Sequence, residues 1–253
     1  MKYLLIPILA LVVSCDAFKK KSPKEVLTPE ATKEIVIEEK NTAIPEKKER
    51  KENTILVVLT NPKAVDSVKA LLTKKDLLWD KMAYEKGATR IGIVKVPDGK
   101  KDFWIEELKN EDAFNAVKPY NEETLKESIA TENNKLISFR KTACFGDCPV
   151  YDLIINKDGN AIFSGKEYVK VTGTEKFQLT DTELQKLNGY LANEALQNLQ
   201  EVYDDPNVVD LGSTYLIFNN QQVQIRLWRD IPDALIDVHE YVQGLLLSKK
   251  LIE

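Results

Sequence analysis

The stretch TILVVLTNPKAVDSVKALLTKK, residues 54–75, changes its apolar period once, and that change decides the fold. Ile55 to Leu59 is an unbroken apolar run, the pattern of a buried strand. Asn61-Pro62 then offers an N-cap followed by proline at the first helical position, and Val65, Val68, Leu71 and Leu72 recur at helical spacing. A strand feeding directly into an amphipathic helix opens an α/β unit.

Working outward, two further strand patterns, Trp79 to Tyr84 and Arg90 to Val96, flank a turn at Glu85-Lys86-Gly87-Ala88, and Pro97-Asp98-Gly99 ends the second. Trp104 and Leu108 mark a short second helix, and Ala113 to Val117 is a last strand. The order βαββαβ predicts a ferredoxin-like domain over residues 54–120. That unit has the size and element order of the pro-segments and inhibitors of subtilisin-like proteases, a topological resemblance that no motif carries.

Residues 121–134 are polar and read as a helix or linker. Over residues 135–253 short strand patterns follow one another: Leu136 to Phe139, Asp152 to Ile155, Ala161 to Phe163 after an Asp158-Gly159 turn, Tyr168 to Val171, and Lys176 to Leu179. Thr180 with Glu183 forms a capping box ahead of a helix with Leu184, Leu187 and Leu191 on its apolar face. A hairpin follows, Tyr215 to Phe218 and Val223 to Trp228 across Asn219 to Gln222. The closing helix opens at Pro232 and lines up Leu235, Val238, Val242 and Leu245. The fold class expected is α+β, a ferredoxin-like domain followed by an antiparallel sheet packed with two helices.

The N-terminal part reads differently. Met1-Lys2, an apolar run from Tyr3 to Val13 and then Ser14-Cys15 form an export signal too short to span a bilayer as a helix, with Pro7 inside it. Val12-Val13-Ser14-Cys15 resembles the lipobox of bacterial lipoproteins, which implies residues 1–15 as a lipoprotein signal peptide and acylation of Cys15. The alternative is an ordinary signal peptide with Cys15 incidental. One acyl chain anchors marginally, whereas the three implied by the resemblance, palmitate among them, anchor essentially permanently. Residues 16–53 are rich in Lys and Glu, carry Pro23, Pro29 and Pro45, and hold few large apolar side chains, the composition of a disordered tether with a span of roughly 35 Å. Lys19-Lys20-Lys21 reads as a solvated charge run.

Thirty-six basic against forty acidic residues give a net charge of −4, and no basic stripe is interleaved with aromatics, so nucleic acid is not an expected partner. The chain has one histidine, His239, and three cysteines. With so few of the side chains that dominate acid–base catalysis and transition-metal binding, neither a metal nor a cofactor is expected. If Cys15 carries lipid, Cys144 and Cys148 are an even pair in an oxidising compartment, and they read as a disulfide.

The run Cys144-Phe145-Gly146-Asp147-Cys148-Pro149-Val150-Tyr151, followed by Asp158-Gly159, Phe163 with Gly165, Val169 and Gly173, resembles an uncharacterised family of domains of unknown function with the hallmark C-F-G-x-C-P-x-Y. The resemblance covers Leu136 to Leu247, including the Pro232 and Leu235 pattern. Many members look like Bacteroidota envelope lipoproteins, which agrees with Cys15. The resemblance implies a fold and a location and supplies no catalytic residues.

The candidate chemistry is sparse. A thioredoxin-type pair has two residues between its cysteines and a helix starting at the first; here three intervene, and Pro149 and a strand follow. A zinc site from Cys144, Cys148, Asp147 and His239 has only two soft ligands close in sequence. Asp204, Asp205, Asp210 and Asn207 cluster without calcium-loop spacing, and Asp205-Pro206 is more simply a turn. Phe145 and Tyr151 are packing anchors or ligand contacts, and Arg226 beside Trp228 is a candidate recognition pair on one strand face, or a solvated one. His239 is structural or on the surface.

The reading that follows is a lipoprotein anchored through Cys15 at a membrane of the cell envelope, not an enzyme. It binds, inhibits or scaffolds an envelope protein or ligand, with Phe145, Tyr151, Arg226 and Trp228 as candidate binding patch. Its alternatives are a thiol–disulfide redox protein using Cys144 and Cys148, and a protease-inhibitor-like module.

Overall fold

The first sheet is built around the apolar run of residues 55–59. The computed structural model describes residues 53–253; the signal stretch 1–15 with Cys15, and residues 16–52 of the expected tether, lie outside the described residues. The elements β1 (Thr54–Leu59), α1 (Val65–Lys74), β2 (Leu78–Lys86), β3 (Thr89–Lys95), α2 (Lys101–Lys109) and β4 (Phe114–Pro119) follow in the order expected. The sheet order is β2-β3-β1-β4 with every neighbouring pair antiparallel, which is the ferredoxin-like arrangement.

All six residues of β1 are buried, and the two faces of the strand serve different cores. Ile55, Val57 and Leu59 pack with Val68 and Leu72 of α1 and Ile105 and Leu108 of α2. Leu56 and Val58 pack with Ile91, Ile93 and, from α3 (Glu122–Asn134), Leu125 and Ile129. A strand buried on both faces has no polar positions to alternate with, which is why its sequence is a continuous apolar run. Each fully buried aliphatic side chain contributes about 1.5–3 kcal/mol relative to exposure.

Two local expectations change. Asn61 is not the N-cap of α1, which starts three residues later behind Ala64. Its backbone carbonyl accepts from Ala64 N–H at 3.1 Å and its Oδ1 from Lys63 N–H at 2.9 Å, so Asn61-Pro62 makes a tight turn first. Asparagine bonding its own backbone competes with helix capping, and here it wins. The β2–β3 turn is also tighter than expected, reduced to Gly87-Ala88, with Gly87 at φ +53°.

After α3 come β5 (Lys135–Lys141), β6 (Val150–Asn156), β7 (Asn160–Glu167), β8 (Gly173–Gln178), α4 (Asp181–Leu191), a 3₁₀ turn at Glu194–Leu196, β9 (Val202–Tyr203), β10 (Thr214–Phe218), β11 (Gln221–Ile225) and α5 (Asp233–Ser248). The seven strands are ordered β8-β7-β6-β5-β10-β11-β9. All pairs are antiparallel except β11 with β9, so the sheet is mixed at one edge, where a strand too short to show in the sequence attaches. Tyr168 to Val171 is not a strand: the backbone N–H groups of Lys170 and Val171 both turn to the carbonyl of Leu251, away from any neighbouring strand. The strand β11 ends at Ile225, before Arg226 and Trp228. The β10–β11 turn is the two-residue Asn219-Asn220, both at positive φ, the geometry that matches strand twist.

The capping box at Thr180 and Glu183 is fully formed. It starts α4 so that Leu187 and Leu191 join Leu235, Val238, Val242 and Leu246 of α5 over Phe139, Tyr151, Leu153, Phe163, Leu216 and Phe218. The opposite face of the same sheet carries Ser138, Arg140, Asp152, Ile154, Tyr215, Ile217 and Gln222, and it turns toward the ferredoxin-like layer. The described residues fall in one compact unit. Its layers are joined by Gln222 Nε2 donating to Asn61 Oδ1 at 3.0 Å and by ion pairs of Lys166 with Asp112 at 2.6 Å and Lys63 with Glu201 at 2.5 Å. No helix among the described residues is long and apolar enough to cross a membrane.

Candidate functional site

The connection between β5 and β6 is a loop closed by the Cys144–Cys148 disulfide, with Cα atoms 5.8 Å apart. Gly146 sits at φ +146°, inside the region other residues avoid, and its N–H returns to the carbonyl of Cys144 at 3.0 Å. No helix begins at either cysteine. Phe145 stands at the tip, 89% exposed, while its backbone N–H is held by the carbonyl of Asp210 at 3.1 Å. The backbone is therefore braced and the ring is left in water.

Residues 204–210 bind this loop to the rest of the sheet end. Asp210 holds Phe145, Asp204 pairs with Arg226 at 2.8 Å, and Asp205 pairs with Arg229 at 3.1 Å. Asp205 also accepts from the backbone and side chain of Asn207, and those bonds, with Arg229 after them, hold its carboxyl below the usual range. Two of the clustered carboxylates are thus committed to arginines and to an Asx turn. Val209, next to Asp210, is 70% exposed.

The four residues of the expected binding patch separate. Phe145 is on the surface, and Arg226 joins the loop that holds it through Asp204, while Trp228 lies partly exposed over His239. Tyr151 does not join them: it is wholly buried, stacked between Phe139 at 6.0 Å and Phe163 at 5.3 Å. Alternation along β6 points it into the core, where its hydroxyl accepts from Gln243 Nε2 and burial pushes its pKa up. Trp228, 43% exposed, covers His239 with ring centroids 4.1 Å apart. His239 stacks in turn on Phe139 at 5.4 Å, so an aromatic column runs from the surface into the core. Burial, then the nearby Lys141 charge, lowers the His239 pKa to about 4, and its Nε2 has no hydrogen-bond partner among the described residues. The imidazole is a neutral ring in a stack.

Sequence reasoning passed over the face of the larger sheet opposite α4 and α5. Between it and the ferredoxin-like layer lies a cavity of about 180 Å³, lined from one side by Thr60, Asn61 and Asn115 and from the other by Ser138, Arg140, Thr142, Asp152, Ile154, Tyr215, Ile217 and Gln222. Arg140 Nε bonds Asp152, and its Nη1 reaches the carbonyl of Asp112 at 3.2 Å. Lys166 bridges Asp152 at 3.3 Å and Asp112, whose carboxyl it holds below the usual range. Two cations face two anions, and the wall of the cavity is electrically balanced. The sequence signal was the polar half of the alternation in β5 and β6, which a solvated face produces equally well.

The face of the first sheet that carries Leu56, Val58, Ile91 and Ile93 is covered by Leu125 and Ile129 of α3. Residues 135–246 match a family described as a domain of unknown function (DUF6438), which spans β5 through nearly all of α5. An uncharacterised domain family therefore accounts for the larger sheet and its helices, over nearly the residues that the resemblance covered. No match was found among curated proteins or among solved structures.

Proposed function

We propose that this chain is a lipid-anchored, non-enzymatic binding module of a bacterial cell envelope, held through Cys15 and presenting the loop end of its larger sheet to a protein partner. The observation that carries the reading is Phe145, a large apolar ring exposed on a loop closed by a disulfide and pinned by Asp210. An aromatic on a mobile loop must order its backbone when it binds, which costs about 1–2 kcal/mol per residue; here the disulfide and the Asp210 carbonyl have fixed that backbone in advance. Burying such a ring at an interface contributes about 1.5–3 kcal/mol, enough to act as an anchor. Val209, exposed next to the Asp210 that holds Phe145, adds apolar surface to the supporting loop, and Arg226 pairs with Asp204 of that loop.

A photo-reactive phenylalanine analogue at position 145 of the full-length protein, irradiated in the native envelope, tests this. It is expected to give one adduct of defined mass that is lost when Val209→Asp is added. The same adducts from a probe at Lys126, exposed on α3, would refute the reading. Cys15→Ser is expected to release the protein from the membrane fraction, and a hydrolase and thiol-exchange screen is expected to show no turnover.

A further inference from the structure

We infer that the cavity between the two layers is a binding site for one neutral, polyhydroxylated six-membered ring, a single pyranose sugar, independent of the Phe145 surface. The size sets the first limit. A cavity of about 150 Å³ takes one six-membered ring, and this one measures about 180 Å³. The cavity is open on one side, so one ring seats in it with its substituents reaching toward the mouth.

The lining sets the chemistry. Ser138 and Tyr215 bring hydroxyls with no hydrogen-bond partner among the described residues, and Gln222 spends its Nε2 on Asn61, which leaves its carbonyl oxygen for an incoming donor. Hydroxyls and amides that can both donate and accept are what a ring of alcohols requires. Ile154 and Ile217 supply an apolar patch against which the C–H face of a pyranose packs. Charge excludes the alternatives. Arg140 and Asp152 satisfy each other across the wall, and Lys166 and Asp112 complete the balance, so no uncompensated charge is left to neutralise an anionic or cationic ligand. The place also fits: ligand sites form where two structural layers meet, since each layer contributes part of the enclosure.

Titration calorimetry and thermal-shift measurements on the full-length protein with D-glucose, D-galactose and N-acetyl-D-glucosamine, and with D-glucuronate and D-glucosamine as charged counterparts, test the inference. At least one neutral sugar is expected to bind saturably and raise Tm. Tyr215→Phe and Ser138→Ala, which remove no hydrogen bond between described residues, are each expected to weaken that binding about fivefold, the value of one hydrogen bond, without lowering the Tm of the sugar-free protein. Phe145→Ala is expected to leave it unchanged, which separates this site from the partner surface. Binding by no neutral sugar, binding indifferent to both cavity variants, or equal affinity for a charged counterpart would each overturn it.

Discussion

The indole of Trp228 rests on the imidazole of His239 with ring centroids 4.1 Å apart, which closes the outer end of an aromatic column continuing through Phe139, Tyr151 and Phe163. The stack holds the imidazole neutral: protonation would place a cation beside Lys141 with no acceptor for its Nε2 among the described residues.

Stability is therefore expected to depend on pH in a defined window. The His239 pKa is lowered to about 4 in the fold against 6.5 in the unfolded chain, so below pH 6.5 the unfolded state takes up a proton that the folded state does not. Stability is full above pH 6.5 and falls as the pH drops from there toward 4. Discounted for partial solvent access, the loss is about 2 kcal/mol. Thermal unfolding followed across this range should show the decline, and His239→Phe should flatten it; a His239→Phe protein with the same slope would contradict the assignment.

Tyr151→Phe isolates one polar bond in an apolar core. The ring stays, and Gln243 loses the hydroxyl it donates to. The expected loss is about 1 kcal/mol, a fall of roughly 2–4 °C in Tm, because half-buried Gln243 recovers part of its bonding from water. Tyr151→Ala, which also removes the ring, is expected to cost about 3–5 kcal/mol.

Gly92→Ala tests a close approach in the first sheet. The Trp79 side chain of β2 lies across the α-carbon of Gly92 in β3, where an added methyl group would overlap its six-membered ring. The indole must move off the core of β1, α1 and α2, at about 1–3 kcal/mol. Chemical denaturation should report the loss, together with a red shift of tryptophan emission; an unchanged spectrum and midpoint would place Trp79 elsewhere.

The disulfide loop should respond to reduction locally more than globally. Cys144 and Cys148 are four positions apart, and in the chain-entropy model so short a ring contributes about 2 kcal/mol. The double substitution Cys144→Ser with Cys148→Ser is expected to lower Tm by that equivalent. It should also speed hydrogen exchange at the Phe145 N–H, which the closed loop holds on Asp210. Slow exchange there in the open loop would show that the disulfide is not what braces it.

Much of the fold was legible because its signals are short-ranged. The unbroken run Ile55 to Leu59, the capping box of Thr180 and Glu183 and the helical spacing of Leu235, Val238, Val242 and Leu245 each depend on neighbours within a turn or a strand, and each appears where expected. Asn61 shows the limit. Cap and turn use the same side-chain oxygen on nearby backbone donors, and Gln222, 161 positions away, adds to the bonds that Oδ1 accepts in the turn. The strand β9 was invisible for a related reason: two residues carry no period, and only pairing with β11 makes them a strand.

The candidate surface divides along the same line. The amino-acid sequence by itself determined the α+β class, the ferredoxin-like element order and the run of strands and two helices after it, since each follows from composition or from local periodicity. The tertiary structure alone decided which faces of the strands meet. Tyr151 went into the core and Phe145, six positions before it, into solvent. The polar half of β5 and β6, in sequence indistinguishable from a wet surface, became the wall of a cavity with Arg140 closed on Asp152. A period of two states that one face differs from the other; what each face packs against depends on elements far along the chain, and that information exists only once they have come together.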